Sequence, residues 1–151
     1  MHSRAAKAFT EFDSKTADFW FRQGLSWAED GFYDRALTAY DRAIHLNPNE
    51  SVIWYHQGDA LANLGHYQEA LVSFDHALEL QPNDCATWIF RGVMLLYLAR
   101  NQEALESCDR ALAINPENYE AWLFQGVALQ RLGQYKQAYH SFEQATKKSQ
   151  P

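Results

Sequence analysis

The sequence predicts an all-α protein in which helix pairs stack side by side as a solenoid. The main observation is self-similarity at an offset of 34 residues, which is typical of repeat architectures. The recurring residues are Trp20, Trp54, Trp88 and Trp122; Gly24, Gly58, Gly92 and Gly126; Ala36, Ala70, Ala104 and Ala138; Ala43, Ala77, Ala111 and Ala145; and Pro48, Pro82 and Pro116. With 47% hydrophobic and 21% charged residues the chain can build a packed core. Only 4 prolines and 7 glycines argue against a loop-rich β architecture.

The first helix of each unit is predicted from the spacing of its apolar and small residues. In residues 51–84, Trp54, Gly58 and Leu61 recur at i, i+4 and i+7, so they share one face of a helix. The segment Gly65-His66-Tyr67 then breaks the pattern. The first helix is therefore expected to end at this turn.

The second helix carries Ala70, Phe74 and Ala77 on one face. It is expected to end at Gln81, because the residue before a proline avoids the helical region. Gly58 and Ala70 remove side-chain bulk where the two helices cross. Neither helix can bury its apolar stripe alone, so successive pairs must stack to form a core.

This pattern resembles the tetratricopeptide repeat, whose signature contains Trp, Leu-Gly, Tyr, Ala, an aromatic residue, Ala and Pro. The resemblance implies a right-handed superhelical solenoid of four helix-turn-helix repeats. It covers residues 17–150 as a single domain with the units 17–50, 51–84, 85–118 and 119–150. Residues 1–16 lie outside it, and we interpret them as an N-terminal extension with the capacity to form a short helix.

The third unit departs from the family pattern at two positions. Asn101 replaces the turn tyrosine, and Cys108 replaces the aromatic residue of the second helix. A cysteine fills less volume than Phe74 or Phe142 at the same position in neighbouring units. Looser packing is therefore expected in the third unit.

The resemblance also implies that the first helices line the concave side of the solenoid. A helical wheel agrees, because unit positions 2, 5, 6, 9, 12 and 13 fall within one arc of about 120°. In the third unit this arc holds no charged residue, and a large exposed apolar patch marks an interaction site. The groove is therefore predicted to be lined by Tyr55, His56, Asp59, Ile89, Phe90, Val93, Leu96, Tyr97, Leu123, Phe124 and Val127.

These features predict a non-enzymatic protein–protein interaction module, a scaffold or adaptor that binds a peptide or helix with apolar anchors. Phe90, Tyr97 and Phe124 are the expected hot spots, because large rings bury much area at small entropic cost. Two alternatives stay open. The apolar groove or an uncapped C-terminal repeat can instead drive homo-oligomer assembly, or the N-terminal extension with Phe9 and Phe12 can cover the groove.

Several partner classes are disfavoured. A formal charge of −6 argues against nucleic acid and against an anionic membrane, and no apolar run is long enough to span a bilayer. Chaperone-binding members of the family clamp a C-terminal carboxylate tail with lysine, asparagine and arginine side chains. The matching positions here are Phe21, Leu25, His56, Ala86 and Phe90. None of them retains the clamp, so a chaperone tail is not the expected ligand.

Catalytic and cofactor chemistry is not predicted. The sequence lacks nucleophile-elbow, zinc-protease, phosphate-loop and dinucleotide motifs. His56 and Asp59, three residues apart, form the one suggestive polar pair, and two ligands alone do not make a structural zinc site. We therefore expect no catalytic residues, no metal and no cofactor. With 2 cysteines and no apolar leader, a cytoplasmic location is expected.

Overall fold

The computed structural model describes residues 16–151, and this part of the chain consists of eight α-helices without a β-strand. The helices are α1 (Ala17–Glu29), α2 (Tyr33–Leu46), α3 (Ser51–Asn63), α4 (Tyr67–Leu80), α5 (Cys85–Tyr97), α6 (Asn101–Ile114), α7 (Tyr119–Arg131) and α8 (Tyr135–Ser149). The predicted all-α repeat fold is confirmed. The short helix expected in the N-terminal extension falls outside the described residues.

The helices pack as four consecutive pairs, which we call units one to four. Within the units α1 packs on α2, α3 on α4, α5 on α6 and α7 on α8. Between units α2 packs on α3, α4 on α5 and α6 on α7. The first helices also meet, α1 with α3 and α5 with α7. We call the surface to which α1, α3, α5 and α7 contribute the first-helix surface.

The largest core cluster joins units two and three. Phe74 of α4 and Leu95 of α5 are completely buried, and Leu61 and Met94 pack with them. Burial of such side chains is the dominant stabilising contribution in a fold of this kind. This cluster also supports the apolar side chains of the first-helix surface, as described below.

The turn after each first helix places one residue in the left-handed backbone region. Gly31, Gly65 and Gly133 occupy it in units one, two and four, with φ of 80°, 80° and 79°. In unit three the same position is Ala99, with φ of 58°. Glycine accepts this conformation freely, whereas a Cβ atom makes it unfavourable.

Adjacent units are connected by a repeated polar bridge. The amide Nε2 of Gln57 on α3 donates to Asp41 Oδ1 of the preceding unit at 2.6 Å, and Ser73 Oγ of its own unit donates to Gln57 Oε1 at 2.8 Å. A bridge between the same three positions recurs at each following junction, although Arg91 donates to its serine where the two glutamines accept from theirs. Its members there are Asp75, Arg91 and Ser107, and then Asp109, Gln125 and Ser141.

Each recurring tryptophan from unit two onward is tied to the proline that precedes its helix. Trp54 Nε1 donates to the carbonyl oxygen of Pro48 at 2.8 Å. The indoles of Trp88 and Trp122 make the same bond, at 2.7 Å, to Pro82 and Pro116. The hydrogen bond satisfies the indole N–H of a half-buried ring.

Candidate functional site

The most exposed members of the predicted groove are Tyr97 and Leu123. Tyr97 is 62% exposed at the end of α5, and Leu123 is 38% exposed on α7. The Tyr97 ring stacks on Tyr67, the first residue of α4, with ring centroids 4.3 Å apart and planes 6° from parallel. Sequence reasoning missed Tyr67, because it occupies a turn position outside the helical arc. The stack fixes Tyr97 in place while leaving much of its surface open.

Five further groove residues are half-buried against the central core, namely Tyr55, Phe90, Val93, Phe124 and Val127. The Phe90 ring lies 5.8 Å from that of Tyr55 and 6.1 Å from the buried Phe74. These rings rest on Phe74 and Leu95 beneath them. The core holds these side chains in place, so they lose little conformational entropy when a ligand contacts their exposed part.

Ile89 and Leu96 correct the predicted groove, because both are buried. Ile89 is 2% exposed and packs with Ala111 of α6 and Ala121 of α7. Leu96 is 6% exposed and belongs to the central core cluster. Ile89 and Leu96 lie at the same edge of the arc that the helical wheel selected, and the neighbouring helices cover this edge. Neither side chain is therefore available to a ligand.

His56 and Asp59 occupy an aromatic pocket on the same surface. The imidazole centroid lies 5.1 Å from the Tyr55 ring, 5.3 Å from Phe21 and 6.2 Å from Tyr40. Burial lowers the pKa of His56, which the Asp59 charge offsets in part. Burial likewise raises the pKa of Asp59. Burial, with a contribution from Asp59, raises the pKa of Tyr40 to about 12.

His56 and Asp59, the one suggestive polar pair of the sequence, form no direct hydrogen bond or ion pair with each other in this structure. Within residues 16–151 neither side chain takes part in a hydrogen bond or an ion pair. Both groups are half-buried. Half-buried polar groups of this kind favour the uncharged form or a partner that supplies the missing hydrogen bonds.

A cavity of about 330 Å³ opens beside Phe90, where the starts of α5 and α7 approach each other. Ala86 and Phe90 line it from α5, and Tyr119 and Glu120 line it from α7. Tyr119 is 44% exposed. Sequence reasoning did not select Tyr119, since it is the first residue of its helix and lies outside the apolar arc.

Reactive groups are sparse in the described part of the chain. Within residues 16–151 no three His, Cys, Asp or Glu side chains come together as metal ligands. The thiols are both protected, because burial raises the pKa of Cys85 and raises that of Cys108 to about 12. Among the described helices none has the length and apolar character required to cross a membrane.

Sequence comparison identifies helical repeats over most of the chain. Models described as tetratricopeptide repeat match residues 17–50, 51–84 and 119–147, which together exceed half of the sequence. A model described as protein prenyltransferase alpha subunit repeat matches residues 101–132, which span α6 and α7. Comparison with curated protein sequences gives no match.

Solved structures with the same fold include two crystal structures of MamA and one of YrrB. A MamA structure aligns over 97% of this chain and 85% of its own, with a TM-score of 0.88 and 19% identity. MamA 41-end from Desulfovibrio magneticus RS-1 aligns over 91% of this chain and 77% of its own, with a TM-score of 0.85 and 21% identity. The YrrB structure, described as a TPR protein with an unusual peptide-binding site, aligns over 91% of this chain and 71% of its own. Its TM-score is 0.83 and its sequence identity is 22%. At these identities the likeness concerns the fold.

Proposed function

Because this chain belongs to the tetratricopeptide repeat family, a family of protein-interaction modules, we propose that it is a non-enzymatic scaffold or adaptor. Its ligand is a peptide or helix with apolar anchors that lies on the first-helix surface. The peptide-binding site described for its structural neighbour YrrB is consistent with this class of ligand.

The observation that carries the proposal is a row of partly exposed apolar side chains supported by the core. Tyr97 and Leu123 are exposed to solvent. The rings of Phe90, Phe124 and Tyr55 are partly exposed on one side and pack against the core on the other. Exposed apolar surface gains free energy when a partner covers it. Rings held by the core bind at a low entropic cost, which is the property expected of hot spots.

A second candidate function is self-assembly, and one exposed residue of α8 favours it. Tyr139 is 67% exposed, whereas Leu71 at the same position of unit two is 4% exposed. Leu71 belongs to the core that joins units two and three. The outer face of α8 therefore has the form of an inter-unit surface, and another copy of the chain is one way to cover it.

The peptide proposal is tested by selecting peptides from a random display library on the immobilised protein. Enriched peptides should carry two or more apolar anchors, and Leu123→Glu should weaken their binding about tenfold or more, because a charge in the contact must be desolvated. Val72→Glu is the matched control, since Val72 is 50% exposed on α4, away from the first-helix surface. Equal binding by both variants contradicts the proposal.

The assembly candidate is separated from it by light scattering at several protein concentrations. A concentration-dependent oligomer that Tyr139→Glu dissociates, and that Leu123→Glu leaves intact, favours self-assembly through α8. A monomer at all concentrations favours the adaptor. The two variants change different surfaces, so each candidate has its own expected result.

A further inference from the structure

We propose that the peptide taken by the first-helix surface is basic, with lysine or arginine side chains flanking its apolar anchors. This inference rests on the proposed function and specifies its ligand. It follows from the charges that surround the apolar centre of the surface at Phe90 and Tyr55.

Three carboxylates act electrostatically on Tyr55. Asp59 lies one turn further along α3, Asp84 precedes α5, and Glu120 lies in the first turn of α7. Burial first, and then these three charges, raise the pKa of the Tyr55 hydroxyl to about 12. Asp59 and Asp84 belong to unit two and Glu120 to unit four, so carboxylates of two units act on the same ring.

Not all of these charges are equally available to a ligand. The Asp84 carboxylate accepts a hydrogen bond from the backbone N–H of Thr87 at 3.4 Å. Its charge is therefore already used in capping the start of α5. Glu117, which also lines the cavity beside Phe90, is paired with Lys148 at 3.2 Å. Glu120 lines the same cavity and has no ion pair within residues 16–151. Glu120 and Asp59 are therefore the charges that a ligand can satisfy.

The arginines of the first helices already have partners, and Arg91 of α5 is bonded to Asp75 and Ser107. Arg22 on α1 forms an ion pair with Asp18 at 3.0 Å. Arg131 at the end of α7 donates to the carbonyl oxygen of Leu96 at 2.7 Å. The middle of the surface therefore combines an apolar floor with carboxylates, and no lysine or arginine of residues 16–151 forms an ion pair with Glu120 or Asp59.

A ligand that matches this surface needs apolar anchors and cations together. A lysine or arginine beside an anchor would reach Glu120 while its aliphatic stem covers the cavity wall. The chain as a whole carries a net charge of −6, which also attracts cationic segments at low salt. An acidic peptide with the same anchors would meet repulsion at the same place.

The test uses two synthetic fluorescent peptides that share the same leucine and phenylalanine anchors. They differ only in carrying lysines or glutamates at the remaining positions, and their binding is measured by anisotropy at low and high salt. The lysine peptide should bind about tenfold or more tightly at low salt, and the difference should shrink at high salt. Glu120→Gln should weaken the lysine peptide about twofold to fivefold.

Glu106→Gln is the control, because Glu106 is an exposed carboxylate on α6, outside the first-helix surface. It should leave both peptides unchanged. Equal affinity for the two peptides, lost in Leu123→Glu, would overturn the basic ligand and leave the apolar groove standing. A lysine preference that Glu106→Gln reduces as much as Glu120→Gln would also overturn it, since net charge would then explain the effect. Binding of neither peptide overturns both proposals.

Discussion

A Cβ atom placed on Gly58 would lie 2.7 Å from Cε1 of Phe74, closer than real Cβ atoms approach another heavy atom. The first helix of unit two therefore rests with its backbone against the ring of the second helix. Gly24 with Tyr40, and Gly126 with Phe142, repeat the relationship. Unit three differs, because a Cβ on Gly92 would meet Cys108 Sγ at 3.2 Å.

This difference predicts opposite tolerance for the same substitution in adjacent units. Gly58→Ala should lower the free energy of unfolding by about 1–3 kcal/mol, because the added methyl group forces Phe74 out of a packed core. Gly92→Ala should change it by less than about 1 kcal/mol, since the gain in helix propensity offsets a contact that needs only a small shift. Urea unfolding followed by circular dichroism measures both.

Equal losses in the two variants would contradict the packing argument, because helix propensity is the same at both sites. The comparison also tests the looser packing that the sequence predicts for unit three. Cys108 is completely buried, so any extra space lies around the thiol and is not exposed to solvent.

The turn after α5 predicts a stabilising substitution. Ala99 has φ of 58°, where the other three units have glycine. Ala99→Gly should raise the free energy of unfolding by up to about 1 kcal/mol, because it removes the unfavourable contact of the Cβ atom in the left-handed region. Gly65→Ala is the reciprocal change and should cost about the same amount. Thermal unfolding of both variants, read as changes in Tm of opposite sign, checks the prediction.

The fold could be predicted from the sequence because its strongest signals are local and periodic. Trp54, Gly58 and Ala70 recur at one spacing, and the structure places them at contacts that repeat in each unit. The site was less predictable. Ile89 satisfies the helical wheel as well as Phe90 does, and only the packing of α6 and α7 decides that Ile89 is covered, whereas Phe90 is partly open.

The polar bridges between units could not be predicted from the sequence either. Asp75 reads as one more exposed acidic residue of a second helix, yet it accepts a hydrogen bond from Arg91 of the next unit. The bond joins residues sixteen positions apart, on helices whose contact is set by the stacking of units. A helical wheel drawn for one helix contains no information about it.

Arg91 provides a test of these bridges. It donates to Asp75 Oδ1 at 2.7 Å and to Ser107 Oγ at 2.6 Å. Arg91→Leu should lower the free energy of unfolding by about 1–3 kcal/mol, because it leaves the buried Ser107 hydroxyl without this partner. Arg91→Gln should cost less than about 1 kcal/mol, because Gln57 and Gln125 bridge the corresponding aspartate and serine at the neighbouring junctions, donating to the aspartate and accepting from the serine hydroxyl.

The control for that pair is Asp75→Asn, which keeps an acceptor and removes the charge. Asp75 and Arg91 are partly exposed, with 46% and 21% of their side chains accessible, so the charge itself should contribute little. If Asp75→Asn is as damaging as Arg91→Leu, the ion pair and not the hydrogen-bonded bridge connects the units.

His56 predicts how stability depends on pH. Burial lowers its pKa in the folded protein, so below the unfolded value of about 6.5 the unfolded chain binds a proton that the folded chain resists. The folded state therefore loses stability relative to the unfolded state as the pH falls through this range. Asp59 acts in the opposite direction, because its pKa is raised by burial. The folded state binds the Asp59 proton more readily, and falling pH through the acidic range restores stability.

The two effects are separated by removing one group at a time. The free energy of unfolding of the wild type should fall relative to His56→Gln between about pH 7.5 and about pH 5.5. Asp59→Asn removes the stabilisation that protonation of Asp59 gives at acidic pH. The free energy of unfolding of this variant should therefore exceed that of the wild type by more at neutral pH than at acidic pH. Parallel curves for the wild type and His56→Gln would show that the imidazole is not held in the aromatic pocket of Phe21, Tyr40 and Tyr55, since only its burial there gives the slope.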